Sequence, residues 1–171
     1  MQYETQLQAV SGIPGSDRYC FTGSRAICSP PPEGSDLDIV VLCPNVNKRY
    51  PSRPACISRE VQEWLTKNGW TFDQNCAETY GSLSARKRLD GVEVNAIIIT
   101  SREEFLSWCR ATGVAQALNL TEKKDRVLLF DHMQPWKWHK APSLFVNHGR
   151  WVTPARQRGV EGSDILGPTS M

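Results

Sequence analysis

The sequence has no Cys-x-x-Cys pair, although it holds six cysteines: Cys20, Cys28, Cys43, Cys56, Cys76 and Cys109. Their spacings of 8, 15, 13, 20 and 33 residues match no zinc-finger spacing. An even count permits a disulfide framework in principle. The start Met-Gln-Tyr-Glu-Thr, however, lacks the basic residues and apolar stretch of a secretory signal, which favours reduced, mostly buried thiols and a cytoplasmic protein. No run of about 18 apolar residues exists, so no membrane span is expected. Net charge is also scarce, at +2, so any pull on nucleic acid must come from local patches. His132, His139 and His148 follow no metal-ligand spacing and point to structural or surface roles. No internal repeat is present. What remains is ordinary: 40% apolar and 22% charged residues exclude disorder of the whole chain, and 171 residues make one domain with a real core.

Local patterns predict an α+β order of elements. Tyr19 to Thr22 reads as a strand stopping at Gly23-Ser24, followed by a loop whose Pro30, Pro31 and Pro32 favour extended backbone. Leu37 to Leu42 is short, apolar and β-branched, the pattern of a buried strand. Pro44 to Pro54 is a polar, basic loop. Ser58 caps a helix through Asn68, with Gly69 at its left-handed end, and Trp70 to Phe72 forms a short strand. Asp90-Gly91 between Leu83–Leu89 and Val92–Thr100 signals a hairpin. Ser101 and Glu104 form a capping box for a helix burying Phe105, Trp108 and Cys109, which Gly113 kinks or divides. Thr121 caps a last helix that turns Val127, Leu128, Leu129 and Phe130 inward. The expected domain spans 1–134; residues 135–171 form a basic, aromatic extension with a flexible end.

The chemistry concentrates in three pieces. Gly23-Ser24 ends one strand, Asp36-Leu37-Asp38 opens the next, and Glu93 lies on the second arm of the hairpin. Strand residues i and i+2 share a face about 7 Å apart, so Asp36 and Asp38 project together. A third carboxylate from a neighbouring strand would complete an acidic cluster, whose self-repulsion a divalent ion offsets. Hard oxygen donors suit Mg²⁺ or Mn²⁺ shared with substrate phosphates. Gly23 permits close backbone approach to a phosphate, Ser24 donates to it, and Arg25 neutralises its charge.

Gly-Ser, eleven residues, Asp-x-Asp at a strand start, then an apolar-acidic-apolar strand resembles the signature of the polymerase-β-type nucleotidyltransferase superfamily. The run Glu93 to Ser101, with the later Leu118 to Arg126, also resembles short phage- and prophage-encoded members. The resemblance implies a palm-like mixed sheet flanked by helices, with further helices C-terminal to it. It implies an enzyme moving a nucleoside monophosphate from a nucleoside triphosphate to an acceptor hydroxyl on an RNA or tRNA end, a protein or a small molecule. Asp36, Asp38 and Glu93 would be catalytic and hold Mg²⁺ or Mn²⁺; Gly23, Ser24 and Arg25 would hold the triphosphate. A phage-encoded member would work in the host cytoplasm.

Blander readings stand beside these. Glu93 and Asn95 share one strand face, which a solvated hairpin would also show. Asp90 is an alternative third carboxylate, placed in the predicted turn. Arg86 and Arg88 fit surface charge as well as phosphate contact. Trp136 to Lys140 either packs its tryptophans onto the domain or stacks bases. A binding or regulatory protein that keeps the fold and has lost transfer is the alternative to an enzyme.

Overall fold

The computed structural model describes residues 2–51, 55–74 and 82–134. The 135–171 extension, with Trp136 to Lys140, His139 and His148, and Cys76 lie outside the described residues. Helix α1 spans Glu4–Ser11 and leads into β1 (Arg18–Thr22). A single helical turn, α2 (Ser24–Ile27), separates β1 from β2 (Leu37–Leu42). Then come α3 (Arg59–Lys67), the strands β3 (Ser82–Leu89) and β4 (Val92–Ile99), and the helices α4 (Arg102–Ala117) and α5 (Lys123–Met133).

The four strands form one mixed sheet in the order β1-β2-β4-β3. β2 runs antiparallel to β1 and parallel to β4, while β3 and β4 are the antiparallel arms of a hairpin. Asp90 and Gly91 take φ of 52° and 77°, the two positive values that a tight two-residue hairpin turn demands. Alternation along each strand sends side chains to two cores. On one face Leu37, Ile39, Val41, Val94, Ala96 and Ile98 pack with Val10 and Ile13 near α1 and Val61 and Leu65 of α3. On the other, Val40, Leu42, Ile97 and Ile99 pack under Phe105, Trp108, Ala111 and Ala115 of α4 and Phe130 of α5.

Both central helix starts follow their caps. Ser58 Oγ accepts from the Val61 N–H at 3.2 Å, and Ser101 Oγ from the Glu104 N–H at 3.3 Å. Gly69, at φ 81°, closes α3: its own N–H bonds the Thr66 carbonyl and the Trp70 N–H bonds Leu65.

Several expectations are corrected. The chain after Gly23 makes a helical turn before the prolines, because the Gly23 carbonyl accepts from the N–H groups of Ala26 and Ile27. Thr71 forms a lone bridge to Arg86 rather than a strand. Gly113 does not divide α4, which runs unbroken through it; the Ala111 and Ala115 contacts on the sheet outweigh its weak helix propensity. Helix α5 is capped by Glu122 without a side-chain bond, so Thr121 is not its cap. Arg126 fastens that start instead, donating to the carbonyls of Leu120 and Thr121. Val127 and Leu128 are 47% and 68% exposed, so only Phe130 and, partly, Leu129 turn inward.

Candidate functional site

Helices α4 and α5 cover only part of the second sheet face, over Val40, Leu42, Ile97 and Ile99. Earlier positions on that face carry polar residues. Register pairs Asp38 with Asn95, Asn95 with Arg86 and Glu93 with Arg88, so these side chains leave the sheet on one side. Asp36, just before β2, meets these side chains through its ion pair with Arg86. The three carboxylates predicted from sequence therefore sit at one end of a mixed sheet, on one face.

Gly23 shapes the floor. Its φ of 75° is left-handed, and a Cβ there would collide with the Asp38 carboxylate. Glycine thus serves twice: it permits the backbone turn and lets the main chain lie against Asp38. Of the turn's N–H groups, those of Ala26 and Ile27 bond the Gly23 carbonyl, and only those of Ser24 and Arg25 precede any intrahelical acceptor. Thr22, just before, is buried and bonds Thr112 Oγ1 at 2.7 Å, tying the end of β1 to α4.

Arg25 is engaged within the protein. Its Nε donates to the Ser35 carbonyl at 2.7 Å and its Nη1 to Tyr3 Oη at 3.2 Å, with the guanidinium over the Tyr3 ring. In this conformation Arg25 braces the loop that delivers Asp36.

The acidic side chains each have a partner. Arg86 Nη1 donates to Asp36 Oδ2 at 2.9 Å. Asn95 Nδ2 donates to Asp38 Oδ1 at 3.1 Å, and Ser84 Oγ donates to Asn95 Oδ1 at 2.7 Å. Glu93 faces Arg88 at 3.7 Å. Burial pushes the Asp38 pKa above its ordinary 3.8; the Asn95 bond opposes this, Asp36 adds to it, and Arg86 opposes it.

Asn95 and Ser84 were not singled out from sequence as site residues. Asn95 two positions after Glu93 was the available signal, and it gains meaning only through the parallel pairing of β2 with β4.

The donor set fits a divalent ion in kind. Mg²⁺ is commonly held by one or two carboxylates plus substrate phosphates, and Asp36 and Asp38 supply that pair, Asp38 lying against the Gly23 backbone. Among the described residues, however, no three His, Cys, Asp or Glu side chains converge as a ready metal cluster. Asp36 and Glu93 are instead paired with Arg86 and Arg88 of β3.

No protein-family model matches the sequence, and no curated protein matches it. Among solved structures the chain is similar to the conserved protein GrpB from Enterococcus faecalis, with a TM-score of 0.51 and 14% identity. The match covers 80% of this chain and 93% of that one. At such identity the likeness concerns the fold alone. The chain shares with that protein an α+β fold, here a mixed four-stranded sheet flanked by helices.

Proposed function

We propose that the chain is a metal-dependent nucleotidyltransferase that moves a nucleoside monophosphate from a nucleoside triphosphate to an acceptor hydroxyl. The observation that carries this reading is the close approach of the Gly23 backbone to the Asp38 carboxylate, which sets the Gly-Ser turn directly against an Asp-x-Asp strand start. Asp36 and Asp38 would hold Mg²⁺ or Mn²⁺, with Glu93 completing the site. Gly23 and Ser24 would bind the triphosphate. Arg25 would join them after releasing Ser35. Bound there, the ion supplies charge neutralisation and a lowered pKa for the acceptor hydroxyl. In the transfer, the acceptor oxygen forms a bond to the α-phosphorus, the bond to the bridging oxygen breaks, and pyrophosphate leaves. Glu93 would take the acceptor's proton if it does not itself hold the ion. Acceptors of the resembling family range from RNA and tRNA ends to proteins and small molecules, and the fold does not choose among them.

The test is an assay with each α-labelled triphosphate, Mg²⁺ or Mn²⁺, and cell extract as acceptor source. Label should enter a product with the wild type. Asp38→Asn should lose about a thousandfold in rate, because a neutral carbonyl replaces a charged metal oxygen. An Asp38→Asn variant as fast as wild type removes the catalytic assignment.

A second reading has its own support. The Asp36–Arg86 and Glu93–Arg88 pairs neutralise much of the acidic cluster without any ion, as a binding or regulatory protein would permit. Nucleotide binding with no transfer from any triphosphate selects it.

A further inference from the structure

Arg86 holds a fixed place in the site. Its backbone is bonded to Thr71 at the outer edge of β3, through Arg86 N to Thr71 O and Thr71 N to Arg86 O, each 2.9 Å, and it stands opposite Asn95 across the hairpin. Its side chain crosses to Asp36, 50 residues away in sequence. The pair is open to water, with side-chain exposures of 49% for Arg86 and 39% for Asp36. An ion pair so exposed adds little to folding and dissociates readily.

The Asp36 oxygen that Arg86 holds belongs to the carboxylate pair a divalent ion would need. Guanidinium and ion therefore compete for Asp36. A guanidinium displaced from a carboxylate keeps its forked donors, which match phosphate oxygens as well as carboxylate oxygens. Its location beside Asp36 and Asp38 puts those donors where a triphosphate would share the ion.

We infer that Arg86 is a phosphate-binding residue held in reserve by Asp36. Its guanidinium neutralises Asp36 while no ion is bound and passes to a phosphate oxygen of the triphosphate when Asp36 turns to the ion. The inference rests on the proposed function and deepens it, because it makes ion and triphosphate binding mutually favourable. Thermodynamic linkage requires each ligand to raise the other's affinity by the same factor. Arg88, farther from its carboxylate at 3.7 Å and also bonded to the Gly91 carbonyl, is the weaker of the two arginines in this role.

The experiment uses the full chain, as wild type, Arg86→Ala and Arg86→Lys. Mn²⁺ binding is followed alone by the paramagnetic signal of the free ion. Binding of a non-hydrolysable α,β-methylene triphosphate with Mn²⁺ is followed by calorimetry. Arg86→Ala should bind Mn²⁺ alone about threefold to fivefold more tightly, since the competing cation is gone. The same variant should bind the Mn²⁺–triphosphate analogue about tenfold more weakly, having lost a charge-assisted phosphate contact. Opposite shifts in the two affinities distinguish this role from general damage. Arg86→Lys keeps the charge without the fork and should fall between; it also serves as the reading if Arg86→Ala folds poorly. Both affinities falling together, or neither moving by more than about twofold, overturns the inference. A wild type that binds neither ion nor analogue overturns the proposed function itself. A wild type that binds both, with Arg86→Ala indistinguishable from it, overturns only the role of Arg86.

Discussion

Asp38 shows how one side chain links the site to the stability of the fold. Burial is the largest influence on its pKa and raises it above 3.8, with Asp36 adding to the rise. The folded protein thus holds the Asp38 proton more tightly than the unfolded chain does. The sign follows: this contribution to stability is present below pH 3.8 and is lost as pH rises through the folded pKa. Asp38→Asn removes a charge that is costly at neutral pH and keeps the shape. With a chelator present, its melting temperature near pH 7 should exceed the wild type's. The gap should close as pH falls below 3.8, where both side chains are neutral. Circular dichroism melts across that range check this, and an Asn variant less stable than wild type near neutrality contradicts the account. Gly23 belongs to the same scale: any side chain there meets both the left-handed backbone and the Asp38 carboxylate.

Among the elements, α4 is the one whose sequence and structure disagree most usefully. Gly113 lies mid-helix with open space where a Cβ would stand. Nothing there requires glycine, and its backbone conformation is helical within Arg102–Ala117. Gly113→Ala should therefore raise stability by about 0.5–1 kcal/mol, read from the urea midpoint at unchanged slope. A loss of stability would show that the helix needs its freedom at that point. The helix ends on a residue that the sequence reading passed over: Asn119 takes φ of 51°, and the Leu120 N–H bonds the Ala115 carbonyl. Gly69 closes α3 by the same bonding pattern and was legible, because glycine after a helical run is a strong stop signal whereas asparagine is a weak one.

For the whole molecule, folding sorts the thiols. None of the five described cysteines is in a disulfide. Burial pushes Cys43 up to about 12, and burial together with the neighbouring Cys109 pushes Cys20 to about 12. Cys56 is exposed. A thiol reagent at about pH 8 should modify Cys56 first in the native protein, and Cys20 and Cys43 far more slowly, since the thiolate is the reactive form. In denaturant without reductant all six of the sequence's cysteines should titrate. A count of four or fewer in fresh protein would overturn the reading of reduced thiols, and rapid native labelling of Cys43 would contradict its burial.

Local chemistry alone determined much of this protein. The hairpin over Asp90-Gly91, the helices after Ser58 and Ser101 and the buried strand from Leu37 follow from turn geometry, capping and a short β-branched apolar run. Each depends on residues within a few positions of one another. Long-range pairing decided the rest. The parallel register of β2 on β4 brought Asn95 to Asp38, and the hairpin carried Arg86 to Asp36 across the sheet. Which helix face is buried was likewise settled by the partner it meets, so Val127 and Leu128 stand exposed despite their apolar character. A sequence specifies side-chain direction through local periodicity; which side chains meet depends on how distant strands align, and that alignment is set by the packing of the whole sheet.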